Sequence, residues 1–366
     1  MARKNRIVIN NGVYHVTTRI ANQELLFKDD ELKSNIVQWM YDVADFSGVN
    51  MLAWCIMENH LHIFFNVPDV PQQYWLNQNN PPSPTFFSVR PSACTPPRWY
   101  PTGDSPTTFG DSPTEMEKVA PRPPVEFMLS DEEMLERLTY LYGTKVVEQK
   151  EKAWRKKRLS GRGGEVDDEK ERYCRRMYNV SQFVKTLKER IAMRYNADKR
   201  NHHSGCLFQG RFYSAIVEKT MEAYGAVSAY IALNPVKAKI AKDPTTWRWS
   251  SFAEACSGSG GIAERCREGY RRMFGVEWKE AKAKMERLMS DRLPEDMIKE
   301  EEEMPQKPLR VTQAIWMKVR AFTQGAFITR NQSFVNRSLS QMTRGFNHEV
   351  TWSVEYFSRL DWSRVA

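Results

Sequence analysis

Two histidines, His60 and His62, stand two apart in the run Asn59-His60-Leu61-His62, between the apolar stretch Met51–Met57 and Ile63-Phe64-Phe65. Successive side chains on a strand point to opposite faces, so on a strand the two imidazoles share a face and Leu61 points into the core. Two imidazoles aimed at one point can hold a divalent metal. Much later in the chain, Tyr230 and Asn234 are four apart and share a face if their segment is helical. A phenol and an amide brought to such a pair of histidines would assemble a nucleophile, a metal and metal ligands in one place.

The surrounding sequence supplies elements able to do this. Ile7 to Arg19 alternates partially, with Tyr14, Val16 and Thr18 on one face, and reads as a first strand. Asp29-Asp30-Glu31 opens a helix to about Phe46, closed by Ser47-Gly48. Val49–Met57 and His60–Val67 are strands joined by a tight Glu58-Asn59 hairpin. A helix spans about Asn179–Tyr195, Ser214–Val217 is a fourth strand, and Thr220 caps a helix from Met221 to about Leu233 that Pro235 should end near Asn234. This order predicts an α+β fold, an antiparallel sheet with helices on its faces.

Other stretches read as additions. Pro68–Pro124 holds 14 of the 19 prolines and cannot form regular ladders, so it is expected to be a long, partly disordered loop. A helix from Ser130 to about Leu159 follows, broken by Gly161-Arg-Gly-Gly164. Past the Ser257–Gly261 linker, Glu264 to about Arg292 is helical and Thr312–Phe346 holds one or two helices. The expected division is a catalytic domain from 1–67 and 175–256, an insertion at 68–174 and a helical extension at 257–366.

The formal net charge is +9, and residues 145–200 carry 18 Lys/Arg against 9 Asp/Glu, enough to account for all of it. Such a block is either a solvated helix face or a polyanion-binding surface, nucleic acid above all. The six scattered cysteines lack paired spacing, which argues for a reducing compartment without a zinc-finger or disulfide framework. No run reaches membrane-spanning length and no secretory signal is visible, so a cytoplasmic, nucleoid-associated location is expected, with no membrane partner.

Four motifs in order carry a family resemblance: Asn59-His60-Leu61-His62, Gly205–Ser214 (GCLFQGRFYS), Tyr230–Ala238 (YIALNPVKA) and Trp247–Ser251 (WRWSS). Over about residues 5–70 and 175–255 the chain resembles the REP-associated tyrosine transposases, single-tyrosine HUH relatives of the transposases of the smallest bacterial insertion sequences. The resemblance implies a ferredoxin-like fold and cleavage and rejoining of single-stranded, hairpin-forming repeat DNA. It places His60 and His62 in the metal-binding pair, Tyr230 as nucleophile and Asn234 as third ligand. Arg211, Tyr213 and Lys237 fall in matching motifs as DNA contacts or site support, and Lys185, Lys188 and Arg194 of the basic helix are further candidate DNA contacts. A phenol has a pKa of about 10 and attacks best when deprotonated near a cation. Mg²⁺ prefers oxygen ligands and imidazole suits Mn²⁺, so Mg²⁺ or Mn²⁺ is expected. Related enzymes suggest a monomer or a dimer, and a monomer is favoured.

Each residue also has a plainer role open to it. The histidines fit an ordinary strand rim, Tyr230 a core tyrosine and Asn234-Pro235 a helix stop, while Phe208, Phe212 and Trp249 fit core better than base stacking. Two other functions compete: a catalytically idle DNA-binding protein, and a metal-dependent phosphoesterase that uses water.

Overall fold

The computed structural model describes residues 8–76, 127–198 and 206–290, and the backbone of 327–328. Of Thr312–Phe346, expected to be helical, only Phe327-Ile328 are described, and they form a strand instead; the rest, with the Pro-rich stretch from 77 to 124, lies outside the described residues.

Strand β1 (Gly12–Arg19) leads to helix α1 (Asp30–Ser47), then β2 (Asn50–Ile56) and β3 (His60–Val67). Helices α2 (Asp131–Tyr142), α3 (Thr144–Leu159) and α4 (Gly163–Cys174) precede α5 (Val180–Ala197), β4 (Tyr213–Val217) and α6 (Met221–Lys237). Helices α7 (Ser251–Ser257), α8 (Gly261–Phe274) and α9 (Trp278–Ser290) follow, and the two-residue strand β5 is Phe327–Ile328. The sheet order is β2-β3-β1-β4-β5. β1 pairs antiparallel with both β3 and β4, β2 antiparallel with β3, and β5 lies parallel to β4. Without α2–α4 the first four strands form two split β-α-β units around a central β1, a ferredoxin-like α+β fold. The expected antiparallel sheet is present, with β5 as a short parallel addition.

Register assigns the faces. Directly paired residues share a face, so Tyr14, Val16 and Thr18 lie with Phe65, Ile63 and Leu61. That face is dry, and Phe65 packs on Phe183 of α5 at a ring-centroid distance of 4.8 Å. The other face carries His15, Thr17 and Arg19 opposite Phe64, His62 and His60. Helix α6 covers it, with Tyr224 against Phe64 at 5.9 Å.

Local chemistry sets the helix ends. Asp29, Asn179 and Thr220 accept backbone N–H bonds as N-caps of α1, α5 and α6, and Ser130 and Glu133 form a reciprocal capping box. Gly143, with φ +76°, splits the single helix expected from Ser130 to Leu159, and Gly275, with φ +63°, splits the one expected from Glu264. Pro235 does not stop α6, which runs on to Lys237. A proline this close to a helix end forfeits little more than one hydrogen bond, to the Ile231 carbonyl, and the next turn closes by Ala238 donating to the Asn234 carbonyl.

Two clusters fill the molecule. The first joins the sheet, α1, α5 and α6 with Tyr270, Met273 and Phe274 of α8 and Ala281 and Met285 of α9, so the helices expected as an extension share the main core. Gly269 lies so close to Leu52 that a Cβ there would overlap the Leu52 carbonyl. The second cluster gathers Met134, Leu138, Val147, Trp154, Val166 and Cys174 of α2–α4 around Phe46 of α1. The Trp247–Ser251 motif is a structural clasp. Ile56 N–H donates to the Trp249 carbonyl, Trp54 N–H to Ser251 Oγ, and Trp247 Nε1 to the Ile56 carbonyl. Lys33 of α1 sits between the two tryptophan rings, 5.5 and 5.2 Å from their centroids.

Candidate active site

An open cleft of about 840 Å³ lies over the β1–β3 end of the α6-covered face. His15, Thr17, Arg19, His60, His62, Gln209, Arg211, Tyr213, Tyr230, Asn234 and Lys237 line it. The sheet supplies a row across three strands, because Thr17 pairs with His62 on one side and Tyr213 on the other. Helix α6 supplies Tyr230, Asn234 and Lys237, spaced to fall on one stripe. The Tyr230 ring stands edge-on to His62 at 5.5 Å and to His15 at 5.8 Å.

Both imidazoles of the His-x-His run are held through Nδ1, by different partners. His60 Nδ1 lies 2.6 Å from Asn59 Oδ1, and Asn59 Nδ2 donates to the Gln23 carbonyl. The Asn59 oxygen can only accept, so His60 carries its proton on Nδ1 and leaves Nε2 bare. His62 Nδ1 lies 3.0 Å from His15 Nε2 and 3.2 Å from Thr17 Oγ1. Asn234 donates its Nδ2 to the Tyr230 carbonyl at 2.9 Å, leaving its amide oxygen over. Neither Nε2, nor that oxygen, has a hydrogen-bond partner among the described residues.

Burial disfavours the imidazolium form throughout. It lowers His15 to about 4, and with Arg19 nearby lowers His60 to about 4. His62 is driven well below the usual histidine range, by burial first and then by His60, His15, Arg19 and Lys237. Three neutral histidines therefore sit beside three cations. Tyr213 is pushed up by desolvation and by the nearness of Tyr230. Cys55 is paired with His62 in register but donates to Met57 Sδ, and burial keeps its thiol protonated.

These donors suit a divalent ion of borderline character: the Nε2 atoms of two imidazoles and one amide oxygen, each with its other polar atom already engaged. No group of three or more His, Cys, Asp or Glu among the described residues offers an alternative metal cluster.

Of the residues singled out from the sequence, His60, His62, Tyr230, Asn234, Arg211, Tyr213 and Lys237 meet in this cleft. Lys185, Lys188 and Arg194 do not, because α5 packs on the opposite face of the sheet. Lys185 faces Glu189 at 3.8 Å and Arg194 faces Glu31 at 3.5 Å. Lys188 donates to the Gly210 carbonyl and covers the Phe208 ring, steadying the loop that carries Gln209 and Arg211. Phe208 and Trp249 are buried, as expected of core residues. His15, Thr17, Arg19 and Gln209 are the site residues the sequence reading missed. The alternation of β1 held the signal for the first three, since they occupy the parity left over from Tyr14, Val16 and Thr18.

Residues 8–74 match the model of the family described as "Transposase IS200 like". That segment spans β1 to β3 and holds both candidate ligand histidines, so the similarity covers the His-x-His run but not Tyr230 or Asn234. A solved structure of a REP-associated tyrosine transposase bound to a REP hairpin aligns with 72% of this chain and 90% of its own. The two are 12% identical, with a TM-score of 0.35. No curated protein matches the chain. Among the described residues no helix is long and apolar enough to cross a membrane.

Proposed function

We propose that the protein cuts and rejoins single-stranded, hairpin-forming DNA through a covalent bond between Tyr230 and a 5′-phosphate. The observation that carries this reading is the placement of Tyr230 on α6, its ring 5.5 Å from that of His62 and its neighbour Asn234 one turn further on. His60, His62 and Asn234 would hold Mg²⁺ or Mn²⁺. When bound, such an ion supplies Lewis-acid polarisation of the scissile phosphate.

The protein's own groups then divide the work. Arg19, Arg211 and Lys237 line the cleft and neutralise backbone phosphates on either side of the reacting one. The Tyr230 oxygen attacks phosphorus, its proton passing to solvent. The bond from phosphorus to the 3′ oxygen breaks, and that oxygen takes up a proton to leave as a free 3′-OH. Attack by a 3′-OH on the phosphotyrosine reverses these bonds, so joining needs no nucleotide cofactor. The polar cleft and its cations suit a flexible single strand with a folded stem outside, and one chain provides every residue named, in keeping with a monomer.

Tyr230→Phe tests this directly. Incubation with a labelled hairpin oligonucleotide and Mn²⁺ should give a detergent-stable protein–DNA adduct in the native protein. The variant should retain binding but lose cleavage by about a thousand-fold or more. An adduct persisting in Tyr230→Phe overturns the nucleophile. Cleavage without any adduct points instead to water as nucleophile, and binding without cleavage by the native chain to an idle DNA-binding protein.

A further inference from the structure

His60 and His62 share a requirement that only one of them meets through an unambiguous partner. A histidine that gives Nε2 to a cation must carry its proton on Nδ1. For His60 the Asn59 oxygen enforces that state. For His62 the partners of Nδ1 are His15 Nε2 and the Thr17 hydroxyl, each able to donate or accept.

We propose that His15 is the positioning residue of this site, its Nε2 accepting the Nδ1–H of His62 and so leaving His62 Nε2 free of a proton. The inference rests on the metal-site reading above and extends it to a residue outside the His-x-His run.

The geometry permits few alternatives. At 3.0 Å a single proton fits between His15 Nε2 and His62 Nδ1. If it belonged to His15, neutral His62 would carry its own proton on Nε2 and could not ligate. If it belongs to His62, neutral His15 must carry its proton on Nδ1. That Nδ1 is buried and has no hydrogen-bond partner among the described residues, so no other described residue selects the state of His15. The imidazole is thus committed to His62 alone.

Its placement fits that single task. His15 sits one pleat along β1 from Thr17, on the same face, with its ring nearly parallel to that of His62 at 13° and 5.3 Å. At 3% exposure the His15 ring is closed off from solvent, so it reaches His62 without itself occupying the open part of the cleft.

Two measurements on the full-length chain test this. Long-range ¹H–¹⁵N correlation of the histidine rings in metal-free protein should show His60, His62 and His15 all protonated on Nδ1, with peaks assigned by single replacements. Mn²⁺ titration, read by the loss of free-ion paramagnetic resonance, should find His15→Leu weakened about ten-fold or more, and His15→Gln, whose side-chain oxygen can accept, within about three-fold of native. A proton on His62 Nε2 in the native protein overturns the proposal even if His15→Leu fails to fold. So does native-like Mn²⁺ affinity in folded His15→Leu, or a His15→Gln as weak as the leucine variant. Mn²⁺ binding indifferent to His60→Ala and His62→Ala has a different meaning. It removes the metal site itself, and this role for His15 with it, whereas the tautomers are read without metal.

Discussion

The two faces of one sheet are built from the same strands and differ in almost every physical respect. On the face covered by α1 and α5, Tyr14, Val16, Leu61, Ile63 and Phe65 are buried among apolar neighbours. On the face covered by α6, the intervening positions of β1 and β3 bring His15 and His62 to 3% and 4% exposure, with His60 at the rim. The first face contributes stability through burial. The second accepts the desolvation of three imidazoles, and one of them, His15, keeps a fully buried nitrogen without a hydrogen-bond partner among the described residues. Such a concentration of buried polar groups in an otherwise apolar core is what a functional site looks like physically.

The comparison can be broken hardest on the dry face. Phe65→Ala removes a ring packed on Phe183 and should lower unfolding free energy by about 3–5 kcal/mol, read from urea midpoints. A loss below about 1 kcal/mol would mean that this face is not the stabilising one.

The polar face makes the opposite kind of prediction, one that depends on pH. His15 has a folded-state pKa of about 4 against 6.5 when unfolded. Between those values the unfolded chain binds a proton that the folded chain refuses, so stability falls as pH drops from about 6.5 to 4 and levels off below. The shift corresponds to about 3 kcal/mol for His15 alone. Urea midpoints of metal-free protein at pH 7.5, 5.5 and 4.5 should show the decline, and His15→Leu should make it shallower, His60 and His62 supplying the remainder. A native protein equally stable at pH 7.5 and 4.5 would show that these imidazoles are not desolvated.

How far the sequence revealed this arrangement differs between the faces as well. The alternation around Leu61 set the two histidines on one face, and Thr220 with the four-residue spacing of Tyr230 and Asn234 set the helix that meets them. Both are local properties. His15 is not legible in the same way, because the apolar parity alone defines β1 and a histidine on the other parity has no meaning until β3 lies beside it with Thr17 opposite His62. Pro235 misled because the rule against proline concerns helix interiors, and here only one turn remained. The run of basic residues from 145 to 200 gave charge without direction. Much of it is spent on ion pairs within α2–α4, such as Arg158 with Asp131 and Asp167 and Lys170 with Asp131. The part on α5 faces away from the cleft.

That last point yields the smallest effect and the sharpest contrast. Lys237 lines the cleft on the Tyr230 stripe, whereas exposed Lys185 lies across the sheet beside Glu189. In a Tyr230→Phe background, which keeps the DNA intact, Lys237→Ala should weaken hairpin binding roughly five-fold, about 1 kcal/mol. It should also reduce the dependence of log affinity on log salt by about one ion. Lys185→Ala removes the same charge from the chain and therefore shares any long-range effect of net charge. Only contact with phosphate separates the two, so Lys185→Ala should leave the salt dependence unchanged. Equal losses in both variants would mean that the DNA contacts the basic helix α5 as well as the cleft, so that the two faces share the work of binding.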